Sequence, residues 1–165
     1  MSADRASRVG IVVGSRSDIA AAEKAAAVLA ELGVASETRV ISAHRAPDLL
    51  AAWVASFDER GIGVVIAIAG LAAHLPGVVA SQTTVPVIGV PMPGGVSDGL
   101  DALLAIVQMP KGVPVATVGV GNGENAGLLA ASILAVSDLG LRDRITARRT
   151  AQAADIAADE ANRGL

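Results

Sequence analysis

Short segments, most of them continuously apolar, recur along the chain and are separated by stretches containing Gly, Pro and Ser. They lie at residues 9–13, 36–41, 64–69, 85–90 and 113–118. Apolar runs of this length, without alternating polar residues, are typical of strands buried on both faces of a parallel sheet. We therefore predict five strands, of which the fourth is short because Pro86 and Pro91 lie in it or beside it.

Helical patterns lie between and after these strands. Pro47 opens one helix whose apolar residues follow the i, i+3, i+4, i+7 spacing of a buried face. Those apolar residues are Leu50, Trp53, Val54 and Phe57. The other helices are predicted at residues 19–32, 100–107, 124–139 and 141–162. Alternating strands and helices predict a three-layer α/β/α sandwich with a parallel sheet, flavodoxin-like or Rossmann-like, plus a C-terminal helix.

No linker or internal repeat divides the sequence, so we expect a single α/β domain over residues 1–165. Its core spans residues 8–138. The polar, Ala-rich helix within residues 141–165 lies beyond the compact strand and helix units, and we expect it to pack on a neighbouring subunit. Its arginines alternate with acidic residues, which is typical of a solvated helix face. They are Arg142, Arg144, Arg148 and Arg149.

Composition narrows the possible functions. The net charge of −3, with no basic block, argues against a nucleic-acid partner. The absence of cysteine excludes thiolate chemistry and cysteine-ligated zinc. Residues 1–8 lack the apolar core of a signal peptide, and no apolar stretch is long enough to cross a membrane. We therefore expect a cytoplasmic protein without a membrane partner.

Ligands of open α/β sheets bind outside the carboxyl ends of the strands. The loop at residues 14–18 follows the first strand and holds Ser15, Ser17 and Asp18, which could bind phosphate and ribose hydroxyls. Alternatively, Ser17 or Asp18 simply caps the following helix. The loop matches neither a Walker sequence nor G-x-G-x-x-G, so it does not indicate ATP or NAD.

The loop at residues 42–47 combines an anion anchor with an acid–base group. Arg45 can hold a phosphate through two parallel hydrogen bonds, and Ser42 adds a hydroxyl. His44 can transfer a proton near neutral pH. The alternative for His44 is a loop histidine bonded to backbone. Because both histidines of the chain lie in strand-end loops, we favour a catalytic role for His44.

The loop at residues 69–77 is small and apolar at its start, where Ala69 and Gly70 would let a flat ligand approach the backbone. It continues with His74 and Leu75, and His74 could act as a second acid–base group, order the loop or be structural. The loop at residues 119–125 is interpreted as a tight turn and helix start. The chain has neither paired carboxylates nor metal-ligand spacing, so no metal is predicted.

An ordered set of motifs resembles the N5-carboxyaminoimidazole ribonucleotide mutase family, the class I PurE proteins. The set begins with Gly14-Ser15-x-Ser17-Asp18, Ser42-Ala43-His44-Arg45-x-Pro47 and Ala72-Ala73-His74-Leu75-Pro76-Gly77. It continues at residues 86–91, 99–104, 107–110, 112–117 and 125–126. The resemblance covers about residues 8–138.

The resemblance implies a homo-octamer without metal or organic cofactor. The implied reaction moves a carboxylate from the exocyclic nitrogen to carbon 4 of an imidazole ribonucleotide in purine (IMP) biosynthesis. The resemblance implies that His44 shuttles the proton, that Ser15 and Asp18 bind ribose and phosphate, and that Arg45 binds phosphate. Gly70 and its neighbours would line the pocket for imidazole and CO2.

The sequence departs from the family in the stretch Ala67-Ile68-Ala69-Gly70-Leu71, where Leu71 and Ile68 replace usual glycines. Larger side chains there are expected to narrow or reshape the CO2 pocket. Two alternatives stay open. One is a carboxylase that uses free CO2, as in the other class of the family. The other is a non-catalytic nucleotide-binding module, which would not need His44.

Overall fold

The computed structural model of the chain describes residues 8–163 and contains a parallel five-stranded sheet of order β2-β1-β3-β4-β5. The strands are β1 (Arg8–Val13), β2 (Ser36–Val40), β3 (Ile62–Ala69), β4 (Val87–Pro91) and β5 (Ala116–Thr117). This is the flavodoxin-like order, in which the strand sequence reverses direction between β1 and β3. The predicted fold class is therefore confirmed.

Helices cover both faces of the sheet. The α-helices are α1 (Ile19–Glu31), α2 (Pro47–Ala55), α3 (Phe57–Arg60), α4 (Leu75–Ala80), α5 (Leu100–Val107), α6 (Gly123–Leu134) and α7 (Leu139–Ala158). Two 3₁₀ turns lie at Arg16–Asp18 and Glu160–Asn162. Across residues 8–163, every helix is too short or too polar to span a bilayer.

Several boundaries differ from the sequence prediction. The helices predicted at 124–139 and 141–162 are divided earlier, because α6 ends at Leu134 and the Asp138 side chain accepts from the Leu141 N–H and caps α7. The strand predicted at 113–118 shrinks to two residues, because it pairs only with β4 at the sheet edge and Pro114 has no N–H to donate. The helix predicted from Pro47 breaks after Ala55 into α2 and α3. Helix α4 was not predicted, because Pro76 and Gly77 are residue types typical of turns and loops.

Two apolar clusters lie on opposite faces of the sheet. Alternate strand residues such as Ile11, Ile66 and Ile68 pack beneath α1, α6 and α7. The intervening residues, such as Val12 and Ala67, pack beneath α2 to α5. Because all strands are parallel, the loops that lead into α1, α2 and α4 lie at the same carboxyl edge of the sheet. The alternation of side chains along the strands puts α1 on one face and α2 and α4 on the other.

The N-terminal part of the final helix α7 packs against the rest of the chain. Leu141 and Ile145 are buried against α1 and α6. Arg148 bridges Glu31 of α1 at 3.1 Å and Glu124 of α6 at 2.7 Å. Beyond Arg148 the described residues are almost all exposed. The predicted solvated face is wrong for Arg144 and Arg148, because Arg144 donates to the Leu32 carbonyl and Arg148 bonds to α1 and α6.

Candidate active site

The loops that follow β1, β2 and β3 lie side by side, because β1 is placed between the other two strands. His44 follows β2 and His74 follows β3, so they approach each other across the loop after β1. The Nε2 atom of His44 lies 2.8 Å from the Nδ1 atom of His74. The rings meet edge to face at an interplanar angle of 88°. Both side chains are exposed, so a ligand can reach them.

Local structure fixes both histidines. The turn before α2 is closed by a hydrogen bond from the Ala46 N–H to the Ser42 carbonyl at 2.9 Å, and it presents His44. His74 stands at the N-terminus of α4. The backbone before it turns tightly, because the Ala73 N–H donates to the Leu71 carbonyl at 2.9 Å and the His74 N–H donates to the Ala72 carbonyl at 2.7 Å. The paired rings are therefore held from two separate loops.

Arg45 connects the histidine loop to the loop after β1. Its Nη2 donates to the carbonyl oxygen of Gly14 at 3.1 Å, and its backbone N–H donates to Ser42 Oγ at 3.3 Å. The guanidinium thus lies over the start of residues 14–18 while most of its donors stay available to an anion. A phosphate bound there would face Arg45 and the backbone of that loop together.

The hydroxyls of the β1 loop bond mainly within the loop. Ser15 Oγ accepts from the Ser17 N–H at 3.3 Å and so caps the 3₁₀ turn. Ser17 Oγ donates to Asp18 Oδ1 at 3.0 Å. Asp18 precedes α1 but makes no side-chain capping bond to it. The simple capping alternative for Ser17 or Asp18 is therefore wrong, because Ser15 caps instead and the Asp18 carboxylate keeps acceptor capacity for a ligand.

The loop after β3 divides into a buried base and an exposed crest. Ala69 and Leu75 are 7% and 3% exposed, so they support the loop from below rather than face a ligand. A β carbon at Gly70 would lie 3.2 Å from Met92 Cβ, which explains the small residue. Leu71 forms the crest, with a left-handed backbone at φ 55° and a side chain that is 65% exposed.

Ile68 does not line this site. It is completely buried in the cluster beneath α1 and α6, between Val13 and Val90 of the neighbouring strands. The expectation that Ile68 reshapes a CO2 pocket is therefore wrong, and Leu71 is the one large substitution that reaches the surface.

In the remaining loops at this edge, side-chain oxygens accept hydrogen bonds from backbone N–H groups of the same loop. Asp98 Oδ1 accepts from the Gly94 N–H at 3.1 Å, and Asp101 Oδ2 accepts from the Val96 N–H at 3.2 Å. The Asn122 side chain accepts from the Asn125 N–H at 3.0 Å and caps α6. The loop at 119–125 is thus a turn and helix start, as predicted. Within residues 8–163, no three His, Asp or Glu side chains converge to hold a metal ion.

Comparison with known proteins identifies the family. Residues 8–155 match the family described as AIR carboxylase. The chain is 53% identical to the N5-carboxyaminoimidazole ribonucleotide mutase of Mycobacterium tuberculosis, over 93% of this chain and 88% of that protein. It is 55% identical to the mutase of Thermotoga maritima, over 78% and 75% of the two chains.

A longer relative and a solved structure are also similar to this chain. The chloroplastic phosphoribosylaminoimidazole carboxylase of Vigna aconitifolia is 51% identical over 84% of this chain, which corresponds to only 25% of that longer protein. The crystal structure of Treponema denticola PurE superposes with a TM-score of 0.87, at 28% identity, over 96% of this chain and 99% of that one. The chain therefore belongs to the AIR carboxylase family.

Proposed function

We propose that this chain is an N5-carboxyaminoimidazole ribonucleotide mutase, which moves a carboxylate from the exocyclic nitrogen to carbon 4 of the imidazole in de novo purine biosynthesis. The observation that carries the proposal is the imidazole pair of His44 and His74, with 2.8 Å between its ring nitrogens, beside the Arg45 anion anchor. Relatives that are about half identical over most of the chain bear this name.

The reaction leaves the number of protons on the substrate unchanged. When the nitrogen–carboxylate bond breaks, its electron pair stays on nitrogen, which must take up a proton as CO2 forms. When carbon 4 attacks that CO2, the ring carbon must lose its own proton to restore the imidazole. A single group that first donates and then recovers a proton therefore serves both halves of the reaction.

His44 is the proposed acid–base group and His74 the positioning residue. A hydrogen bond between two imidazoles needs one N–H and one bare nitrogen, so the two rings cannot both be doubly protonated while it lasts. The pair can therefore hold one exchangeable proton beyond its two neutral rings. His74 also fixes the orientation of the His44 ring, as a bonded partner does for a general base.

The surrounding loops supply the proposed ribonucleotide site. Arg45 and the backbone of residues 14–18 would hold the phosphate, and the Asp18 carboxylate would accept hydrogen bonds from ribose hydroxyls. Gly70 would leave room for the flat imidazole ring. The residues proposed to contact the substrate are Ser15, Ser17, Asp18, Ser42, Arg45, Gly70 and His74. Ala69 and Leu75 would act as buried supports.

Conservative replacement of each histidine tests the proposal. His44→Asn should lower kcat by about 10²–10⁴-fold, because proton transfer at both steps is lost. Ribonucleotide binding, measured by calorimetry, should survive. His74→Asn should lower kcat less, because an amide can still hydrogen-bond to His44. Unchanged turnover of His44→Asn would favour the non-catalytic binding module instead.

Arg45 can be tested against a matched surface arginine. Arg45→Ala should raise KM for the ribonucleotide by roughly tenfold or more, since a charge-assisted phosphate contact is lost. Arg149→Ala removes an exposed arginine on α7 and should leave KM unchanged. Equal effects of both substitutions would attribute the Arg45 effect to net charge and argue against a phosphate anchor.

A carboxylase that uses free CO2 is the second candidate function. It is favoured by the name of the Vigna aconitifolia relative and by Leu71 in place of a glycine. The two activities are separated by supplying the purified protein with either the carboxyamino ribonucleotide or the decarboxylated aminoimidazole ribonucleotide with bicarbonate. The proposal expects efficient turnover of the first substrate. Efficient turnover of the second alone would overturn it.

The proposal includes a homo-octamer. It is supported by exposed apolar side chains on α5, where Leu100, Leu104 and Val107 are 52%, 44% and 50% exposed, and by the exposed end of α7. We expect that end of α7 to pack on a neighbouring subunit. Sedimentation should give eight times the 16.4 kDa of one chain. A monomer at working concentration would contradict the octamer.

The proposal also includes a cytoplasmic location. A phosphorylated substrate does not cross a membrane unaided, so the enzyme must share a compartment with the reaction that supplies it. Fractionation of cells that produce the full-length chain would test this location.

A further inference from the structure

A cavity of about 570 Å³ lies where the edge strand β2 meets α2, and we call it the edge cavity. Its lining contains three arginines, Arg16, Arg39 and Arg60, and no acidic residue. Most of the other lining residues are apolar, among them Leu49 and Trp53. Cavities of this volume are typical of sites for small organic ligands. Its composition therefore suits a ligand with an anionic group and an apolar ring.

The Glu37 carboxylate neutralises only part of the positive charge at the edge cavity. Arg8, Arg39 and Arg60 approach it with N–O distances of 3.9, 3.6 and 3.2 Å. Three guanidinium groups thus share one carboxylate, and two positive charges are in excess. Only the Arg60 contact is a hydrogen bond, so the donors of Arg39 stay available to an anion.

Arg16 brings a further cation to the edge cavity from a different element. It lies in the 3₁₀ turn after β1, and no acidic side chain within residues 8–163 forms an ion pair with it. Charged side chains on an edge strand such as β2 can serve to prevent pairing with other chains. Protection of the edge does not explain Arg16, because it is not on that strand.

The apolar part of the edge cavity is held in place by the same cluster. Trp53 Nε1 donates to Glu37 Oε1 at 2.9 Å, and its ring packs edge to face against Phe57. Val40 and Leu49 are 42% and 57% exposed, although both line the cavity. A flat ring that covered these two side chains would remove apolar surface from water beside the arginines.

The edge cavity is distinct from the proposed substrate site but adjoins the same loops. Arg16 stands between Ser15 and Ser17, and Ile41 directly precedes Ser42. None of the side chains proposed to contact the substrate lines the edge cavity. A ligand there would therefore lie against two active-site loops without occupying the place of the substrate.

We propose that the edge cavity is a second binding site, which takes a nucleoside monophosphate. The phosphate binds the three arginines, because guanidinium groups hold phosphate through paired hydrogen bonds. The base covers Val40 and Leu49. The Glu37 cluster and Arg16 together carry three positive charges in excess, which is enough to neutralise one phosphate group of about −2. A triphosphate would exceed that charge.

The fluorescence of Trp53 tests this site in the full-length protein. Trp53 is the single tryptophan of the sequence, which has no tyrosine, so intrinsic emission reports on the edge cavity. The probes are AMP, adenosine and inorganic phosphate. AMP should change the emission saturably and bind roughly tenfold more tightly than either fragment, because each fragment lacks one half of the contacts. A fragment that binds as tightly as AMP would overturn the assignment to a nucleotide.

Two arginine variants locate the phosphate. Arg39→Gln and Arg16→Gln should each weaken AMP binding roughly tenfold, since each removes a charge-assisted contact. Both side chains are exposed, so neither substitution disturbs the core. Arg149→Gln removes an exposed arginine of α7 and should leave the affinity unchanged. If either Arg39→Gln or Arg16→Gln binds AMP like the unmodified chain, the proposed site is wrong.

Arg45→Ala separates the edge cavity from the substrate site. It lacks the proposed phosphate anchor of the substrate, yet it should bind AMP as the unmodified chain does. Loss of AMP binding in Arg45→Ala would place AMP in the substrate site and overturn the inference. Absence of AMP binding at millimolar concentration, by fluorescence and by calorimetry, would also refute it. Both results leave the mutase function standing, whereas failure to convert the carboxyamino substrate refutes that function alone.

Discussion

Replacing Gly123 with alanine tests how closely α6 and α1 must pack to position the site. Gly123 begins α6, and a β carbon there would overlap the carbonyl oxygen of Ala21 in α1 and lie 2.9 Å from its carbonyl carbon. Ordinary contact begins at 3.4 Å. Because the opposing atoms belong to the backbone of a helix, no side-chain rotation can relieve the overlap, and α1 must move away.

The expected cost follows from two opposing terms. Overpacking against a rigid neighbour costs about 1–3 kcal/mol, here near the upper limit. Alanine recovers up to about 1 kcal/mol over glycine in a helix interior, and less at a first helical position. We expect a net loss of about 2 kcal/mol in the free energy of unfolding. That loss lowers Tm by about 4–8 °C for a chain of this size.

The displacement should also reach the ribonucleotide site, because Ala21 follows Asp18 by three residues on α1. We therefore expect Gly123→Ala to raise KM for the ribonucleotide more than it lowers kcat. Thermal unfolding by circular dichroism, at one protein concentration, and steady-state kinetics provide the two measurements.

Gly140→Ala is the control, since a β carbon on that α7 glycine would meet its nearest atoms at 3.4 and 3.5 Å, which is ordinary contact. It should be neutral or stabilising by about 0.5–1 kcal/mol. A Gly123→Ala variant as stable as the unmodified chain would refute the packing argument.

Two further predictions concern groups away from the histidine pair. Burial raises the pKa of Glu37, but the hydrogen bond from Trp53 and the charges of Arg60 and Arg39 outweigh it and hold that pKa below its ordinary value of 4.5. Glu37 therefore stabilises the fold above pH 4.5, and this contribution is lost as the pH falls through the lowered pKa. Urea unfolding should show Glu37→Gln less stable than the unmodified chain at pH 7, with the difference vanishing in acid; a constant difference would contradict this. Asn122→Ala should cost about 1 kcal/mol in the same assay, because it removes the cap of α6, and an unchanged midpoint would show that the cap contributes nothing.

Sequence patterns were sufficient for the central strands β1, β3 and β4, because burial on both faces leaves a continuous apolar run. Residues 64–69 illustrate this, since β3 differs only by starting at Ile62. The pattern failed where proline and glycine mask a helix, as in α4, and where one strand lies at the sheet edge, as in β5. In those places long-range packing, which local sequence does not encode, determines the boundary.

The sequence predicted which loops form the candidate site, but not which of their side chains contact each other. The motifs placed His44 and His74 at strand ends, yet their contact depends on β1 lying between β2 and β3. Similarly, Ile68 and Leu71 look equivalent as replacements of glycine. Only the pleat of β3 separates them, since it turns Ile68 into the core and ends before Leu71.

The central claim, carboxyl migration with proton transfer at His44, is tested most directly by ¹³C NMR of the purified chain mixed with carboxyl-labelled N5-carboxyaminoimidazole ribonucleotide. The account predicts that the label appears on carbon 4 with the unmodified chain. It also predicts that His44→Asn binds the ribonucleotide but forms this product about 10²–10⁴-fold more slowly. Product formation by His44→Asn at the rate of the unmodified chain, or none by either protein, would contradict it.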